Sequence, residues 1–330
     1  MKTSKLFTYI SCLLAATITF PANAQTSETT TESLPRFSSR LGAEYTTEGA
    51  GVDSLGIFEG FIPIFQAPGQ NLTYLQGKLL LSTDNSALGG NLLLGHRFFS
   101  DSKNYIVGGY ISYDTRNTGD AVFNQLGAGF ESFSEGLDFR ANFYIPIGQK
   151  RPILAETFPG SARFDGDFLA VDRVRRVQQA LSGLDAEIGT KLLSLGSGSL
   201  RGYAGLYYYS GEGVSDFVGV RGRLVARPSD SLVAGLTLQS DSVFDTKLIF
   251  SFGVNFPGSS GSPQRNNESI ILARMAESAE RQSSIVVQDQ IARDSIIATN
   301  PQSGQPLLFR QVTLGEPSGN VTAQTSTMGT

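Results

Sequence analysis

A twelve-stranded antiparallel transmembrane β-barrel is the all-β fold class this sequence predicts, and three observations carry it. The first is strict alternation in long strand-like blocks. In Asp138 to Ile145, Phe139, Ala141, Phe143 and Ile145 fall on one face, while Asp138, Arg140, Asn142 and Tyr144 fall on the other. The second is composition. Gly (37), Tyr (11) and Phe (22) are plentiful although only 40% of the 330 residues are hydrophobic, the balance expected of a barrel that is apolar outside and wet inside. The third is the connections between blocks, which alternate between short turns and longer loops.

The chain opens on a targeting pattern. Lys2 and Lys5 form a positive start, and Leu6 to Phe20 is mostly apolar but short for a membrane span. Ala22-Asn23-Ala24 then fits a small-x-small cleavage site. The reading is a cleaved signal over 1–24, followed by a flexible periplasmic lead-in over 25–35. The single cysteine, Cys12, leaves with the signal, so the mature chain uses neither disulfide nor thiolate. Loss of Lys2 and Lys5 leaves 24 basic against 30 acidic residues, a net charge of −6. That balance, with no basic run, speaks against nucleic-acid binding. No apolar run of about 18 residues follows the signal, which excludes a helical membrane protein.

Twelve strand candidates occupy the barrel segment, 36–257. In order they are Arg36 to Thr46, Ser54 to Phe65, Leu72 to Ser82, Ala87 to Phe99, Tyr105 to Asp114, Val122 to Phe133, Leu137 to Ile147, Leu184 to Leu195, Leu200 to Ser210, Phe217 to Arg227, Leu232 to Gln239 and Thr246 to Phe256. Most match the roughly 9–11 residues that a tilted strand needs to cross a bilayer. If the first strand runs outward, the inner turns are short, as in Pro228-Ser229-Asp230. The longest outer connection is Gln149 to Gly183. Its run Asp172-Arg173-Val174-Arg175-Arg176 reads as a charged surface helix.

Charges in mid-strand fix which face is wet. An Arg or Lys at the bilayer midplane on the lipid side costs roughly 2–4 kcal/mol. Arg97, Glu131, Asp138, Arg140, Asn142, Arg221, Arg223, Lys247 and Asn255 are therefore expected to face the lumen. Glu131 and Asp138 are candidates to pair there with Arg140, Arg221 or Arg223. An even strand count also leaves no unpaired edge in lipid.

After Phe256 the pattern changes. The segment 258–299 reads as a linker with a helix over about 268–282, on which Ile271, Met275 and Ala279 share a face. Apolar clusters at 284–297 look β-like. The segment 300–330 is polar, a tail or passenger stub. At thirty-one residues it is below the roughly 40 usually needed for an unstapled domain.

Several motifs, in order, resemble the inverse autotransporter β-domain of the intimin and invasin proteins. They are Gly95-His96-Arg97-Phe98-Phe99, Thr118-Gly119-Asp120, Leu126-Gly127-Ala128-Gly129 through Glu131, and Ala141-Asn142-Phe143-Tyr144. Leu181-Ser182-Gly183-Leu184-Asp185 and Glu280-Arg281-Gln282-Ser283-Ser284-Ile285-Val286-Val287 are similar to flanking motifs of that family. The resemblance implies a twelve-stranded outer-membrane barrel whose linker returns through the lumen to the outside. It also implies outer-membrane lipid, periplasmic chaperones and the barrel-assembly machinery as partners. No substantial passenger is expected, so adhesion to a receptor does not carry over.

Catalysis has little to stand on. His96 is the only histidine, and it reads as an interfacial residue. The carboxylate pairs Asp114 with Asp120 and Glu131 with Asp138 are explained by turn capping and ion pairing. One histidine and no mature cysteine make a transition-metal site unpromising, and no cofactor motif is present. The reading is therefore not an enzyme. The leading expectation is an inverse-autotransporter-like barrel that anchors and exports its own C-terminal segment. The alternative is a porin-like or pore-forming channel, and a barrel enzyme is the third.

Overall fold

The computed structural model describes residues 36–308, apart from 101, 103, 196, 197, 230 and 258–268. The expected signal (1–24), the lead-in (25–35) and most of the tail (300–330) lie outside the described residues.

Twelve antiparallel strands close into a ring. They are β1 (Arg40–Thr46), β2 (Leu55–Ala67), β3 (Asn71–Ser82), β4 (Leu88–Ser100), β5 (Tyr105–Asn117), β6 (Val122–Ser134) and β7 (Asp138–Ile147). After an excursion of the chain, discussed below, come β11 (Ser182–Leu195), β12 (Gly198–Gly211), β13 (Val214–Ser229), β14 (Leu232–Asp241) and β15 (Asp245–Pro257). Each pairs with its neighbour in that order, and β1 pairs with β15 to close the barrel. The closing register sets Leu41 opposite Phe256 and Tyr45 opposite Phe252. Every one of the twelve sequence-derived blocks is a ring strand.

Burial follows the two-residue period, inverted relative to a soluble sheet. On β7, Phe139, Phe143 and Ile145 are exposed while Asp138, Arg140, Asn142 and Tyr144 are buried. On β15, Leu248, Phe250, Phe252 and Phe256 face outward. An apolar exterior around a polar interior is the arrangement that lipid imposes on a barrel.

Tyrosines and glycines are matched across the strands. Tyr74 lies opposite Gly95, Tyr110 opposite Gly129, Tyr203 opposite Gly189, Tyr207 opposite Gly219 and Tyr209 opposite Gly183. In each pair the buried ring folds over the glycine, and a Cβ added there would overlap ring atoms. A ring laid across a glycine covers backbone that no side chain protects. The abundance of Gly and aromatics is thus a packing device as well as a mark of a two-sided wall.

Between β7 and β11 the chain leaves the ring and builds β8 (Ile153–Thr157), β9 (Ala162–Asp165) and β10 (Phe168–Ala180). These combine with β16 (Val287–Ile297) in a four-stranded sheet, with β10 between β16 on one edge and β8 and β9 on the other. The expected charged helix at Asp172 to Arg176 is therefore part of a strand. Its charges alternate between the two sheet faces. Arg173 and Arg175 meet Asp294, while Asp172 meets Arg163 and Ser295. Cross-strand partners and a backbone bonded on both edges override the local helical preference.

The linker helix is also shorter than expected. It runs over Ser269–Ala273, followed by a 3₁₀ turn Arg274–Ala276, and Glu277 is already extended. Beyond it, the peptide groups bond to the barrel wall instead of to one another. Ala279 N–H donates to Gln76 Oε1 at 3.0 Å, and Gln282 N–H donates to Tyr144 Oη at 2.9 Å. Ile271, Met275 and Ala279 are nevertheless buried together, against Phe61, Leu72, Tyr74 and Phe133.

Candidate functional site: a linker pinned inside the barrel

The inward side chains of the ring converge on one occupant, the segment from Ile271 to Val286. It enters at the end of the barrel with short turns. There Arg274 donates to Ser134 O at 3.1 Å and to both oxygens of Asp138 at 2.7 and 2.8 Å. Asp138 also accepts from Arg201 at 2.9 Å and from Tyr203 at 3.0 Å. One β7 carboxylate therefore ties together β7, β12 and the linker.

One turn further along, Arg97 on β4 donates to Glu131 Oε1 at 2.5 Å and to the main-chain carbonyls of Met275 (2.6 Å) and Glu277 (2.5 Å). Arg40 on β1 donates to Ala276 O, and to Ser278 Oγ at 2.7 Å. Carbonyls freed by the end of the short helix are satisfied by arginines from the wall, which answers the orphaned groups of a helix C-terminus.

The middle of the linker carries its own charges. Glu280 is held by Arg223 (2.8 Å) and Arg227 (3.1 Å) on β13. Arg281 meets Asp114 on β5 through two guanidinium nitrogens, Nη1 lying 2.8 Å from Oδ1. Asn91 and Gln125 donate to the same carboxylate. At the end bearing the long β7–β11 connection, Arg116 donates to Ile285 O and Gly51 O, both at 2.6 Å. Leu181 N–H donates to Val286 O at 2.9 Å, and Val287 opens β16. The linker thus traverses the lumen from the short-turn end to the long-loop end.

It does not fill the lumen. A cavity of about 860 Å³ remains beside it, walled by β1 and β11 to β15. At the long-loop end Val52, Val243 and Phe244 pack with Tyr209, Phe217 and Val286.

The residues singled out in the sequence are distributed across this site. Arg97, Glu131, Asp138, Arg140 and Asn142 are buried among its contacts. Arg140 pairs with Glu187 at 3.0 Å, and Arg223 with the same residue at 2.5 Å. Arg221 lies 3.8 Å from Asp185, which also binds Asn142 and Tyr144. Neither Glu131 nor Asp138 takes the partners proposed from the sequence; Arg97 and Arg274 stand there instead. Asn255 lines the cavity. Lys247 reaches Glu48 at 2.7 Å, and both are substantially exposed. His96 bonds Thr73 Oγ1 through Nδ1 at 2.7 Å and sits edge-on to Phe98. Asp114, Arg116, Glu187, Arg274 and Glu280 were not singled out as lumen residues. For Asp114 and Arg116 the alternation of β5 was the available signal.

The profile of the "Inverse autotransporter, beta-domain" family matches residues 22–217. The chain belongs to the inverse autotransporter β-domain family. Among solved structures, one from a study of the mechanism behind the in-meso crystallization of membrane proteins is 14% identical. It covers 76% of this chain and 100% of its own, with a TM-score of 0.55. That likeness shows the fold. A structure named KdgM porin is 7% identical over 66% of this chain and 99% of its own, with a TM-score of 0.40. The β-domain of the Bordetella autotransporter BrkA is 14% identical over 66% and 97%, with a TM-score of 0.27. No curated protein sequence matches the chain. The inverse autotransporter β-domain is here an outer-membrane β-barrel.

Proposed function

We propose that this barrel anchors the chain in the outer membrane and exports the chain's own C-terminal segment to the cell surface. The observation that carries the reading is the path of the linker. It enters among the short turns, is bonded to wall strands along its length, and leaves at the long-loop end as β16. Outer-membrane barrels keep short turns on the periplasmic side and long loops outside, so that path runs from periplasm to surface. The role calls on no catalytic residue and no cofactor. Signal cleavage near Ala24 would deliver the chain to the periplasm. There its apolar strand faces would require chaperones and the assembly machinery before lipid covers them. The test is an epitope tag at the C-terminus and protease added to intact cells. The tag is expected to be removed. A tag that stays protected until the outer membrane is permeabilised overturns the reading.

The cavity of about 860 Å³ beside the linker favours a second reading, a solute path through the barrel. It calls for steady conductance in planar bilayers that rises when residues 269–297 are deleted. If both forms stay closed, the channel reading fails.

A further inference from the structure

The excursion between β7 and β11 does more than cap a barrel end. Without β16, one whole edge of β10 would be bare backbone. The register runs unbroken from Ala180 opposite Val287 to Ala170 opposite Ile297. A free edge of that length recruits another strand, and this chain supplies its own.

The geometry points to β10 as a capture strand for export: an outer edge that takes up Val287–Ile297 by β-addition as that segment emerges from the lumen, and so keeps it from sliding back. The inference rests on the export reading above and adds its holding device.

Three features support it. The captured strand follows directly on the buried end of the linker, where Leu181, immediately after β10, binds Val286 O. Capture therefore begins at the mouth of the barrel. The side chains specify a single register. Arg173 stands directly opposite Asp294 and binds both its oxygens, at 3.0 and 2.7 Å, while Arg175 binds Asp294 at 2.8 Å. On the other face, Ser295 Oγ donates to Asp172, which Arg163 on β9 also holds. A slip by one residue would set Arg293 or Ser295 opposite Arg173 and turn every side chain to the wrong face. The pairing also continues past β16. Leu307 N–H donates to Ala298 O, and Leu169 N–H donates to Leu307 O at the far end of β10. The chain beyond β16 is thus still guided along the same strand.

The test uses the full chain with a C-terminal epitope tag, scored on intact cells. Barrel assembly is followed separately by heat-modifiable migration on gels. In β16, Ile291→Pro with Ala292→Pro removes two successive N–H donors. One of them must face β10, because donors alternate along a strand. A several-fold fall in surface-exposed tag, with the barrel still assembled, is expected. Asp294→Arg should act in the same direction by crowding Arg173 and Arg175, and adding Arg173→Asp and Arg175→Asp should restore exposure. If the proline variant displays its tag as well as the unaltered chain, the capture role is overturned. If the unaltered chain itself hides its tag, it is the export reading that falls.

Discussion

The Arg97 guanidinium lies 2.5 Å from the Glu131 carboxylate, and neither side chain is reached by solvent. The same guanidinium binds two linker carbonyls, so one buried ion pair joins β4, β6 and the linker.

Arg97→Ala should therefore cost stability as well as linker contact. It strands Glu131 in a closed site, and removing one partner of a buried pair costs about 3–5 kcal/mol. Replacing both, as Arg97→Met with Glu131→Leu, should lose less, because no buried charge remains. Unfolding midpoints of the three proteins in detergent or lipid decide the order. Equal losses in the single and double variants would contradict it.

Gly129→Ala should disturb the wall without touching any charge. The Tyr110 ring occupies the space a Cβ would need, and its hydroxyl donates to Asn142. Forcing the ring away overpacks the interior, at about 1–3 kcal/mol. Gly222→Ala is the control, since among the described residues nothing lies within 4 Å of a Cβ there. The expected result is a lower unfolding midpoint for the first variant and little change for the second.

How much of this was legible in the sequence depends on the range of the forces involved. The ring strands were visible because alternation is local: Phe139 and Arg140 declare their faces without help from elsewhere. The partners of the charges were not. Glu131 is expected to meet arginines of later strands, yet it takes Arg97 on β4 although Arg140 stands directly opposite it on β7, while Asp138 takes Arg274 from the linker. Such choices depend on barrel stagger and on where the linker runs. The residues Asp172 to Arg176 misled for a related reason. Two of their partners, Asp294 and Ser295, lie more than a hundred residues away on β16, and the others, such as Arg163, reach them only across strand pairings that local periodicity does not show. Ile271, Met275 and Ala279 are expected to share one helical face, and the structure buries them together. The helix expected to carry them stops early because wall side chains replace its hydrogen bonds.

Arg281→Ala should loosen the plug more than the wall. Asp114 keeps Asn91 and Gln125 as donors, so its carboxylate is not abandoned. The middle of the linker, however, loses its bond to β5. Conductance in planar bilayers should become noisier and higher than that of the unaltered chain, and lower than after deletion of 269–297. No change in conductance in either variant would mean that the linker does not limit the path.

Acid should release the outer sheet before the barrel. Hydrogen bonds from Ser161, Ser295 and Arg163 hold the Asp172 carboxyl well below the usual aspartate range. A hydrogen bond and the charge of Arg173, with further help from Arg175, lower that of Asp294. A carboxyl whose folded pKa lies below its unfolded value, about 3.9 for aspartate, contributes stability in full above that value. The contribution is lost as the pH falls toward the folded value. The pairing of β10 with β16 should therefore hold from neutrality to about pH 5 and weaken below about pH 4. Hydrogen exchange of peptides covering 168–180 and 287–297, corrected for the intrinsic rate, should rise across that window. In the Asp172→Asn, Asp294→Asn double variant the same peptides should exchange faster at neutral pH and respond less to acid. Peptides from β5 and β6 serve as the reference. If acid leaves the β10 and β16 peptides as protected as at neutrality, these two carboxylates do not hold the strands together.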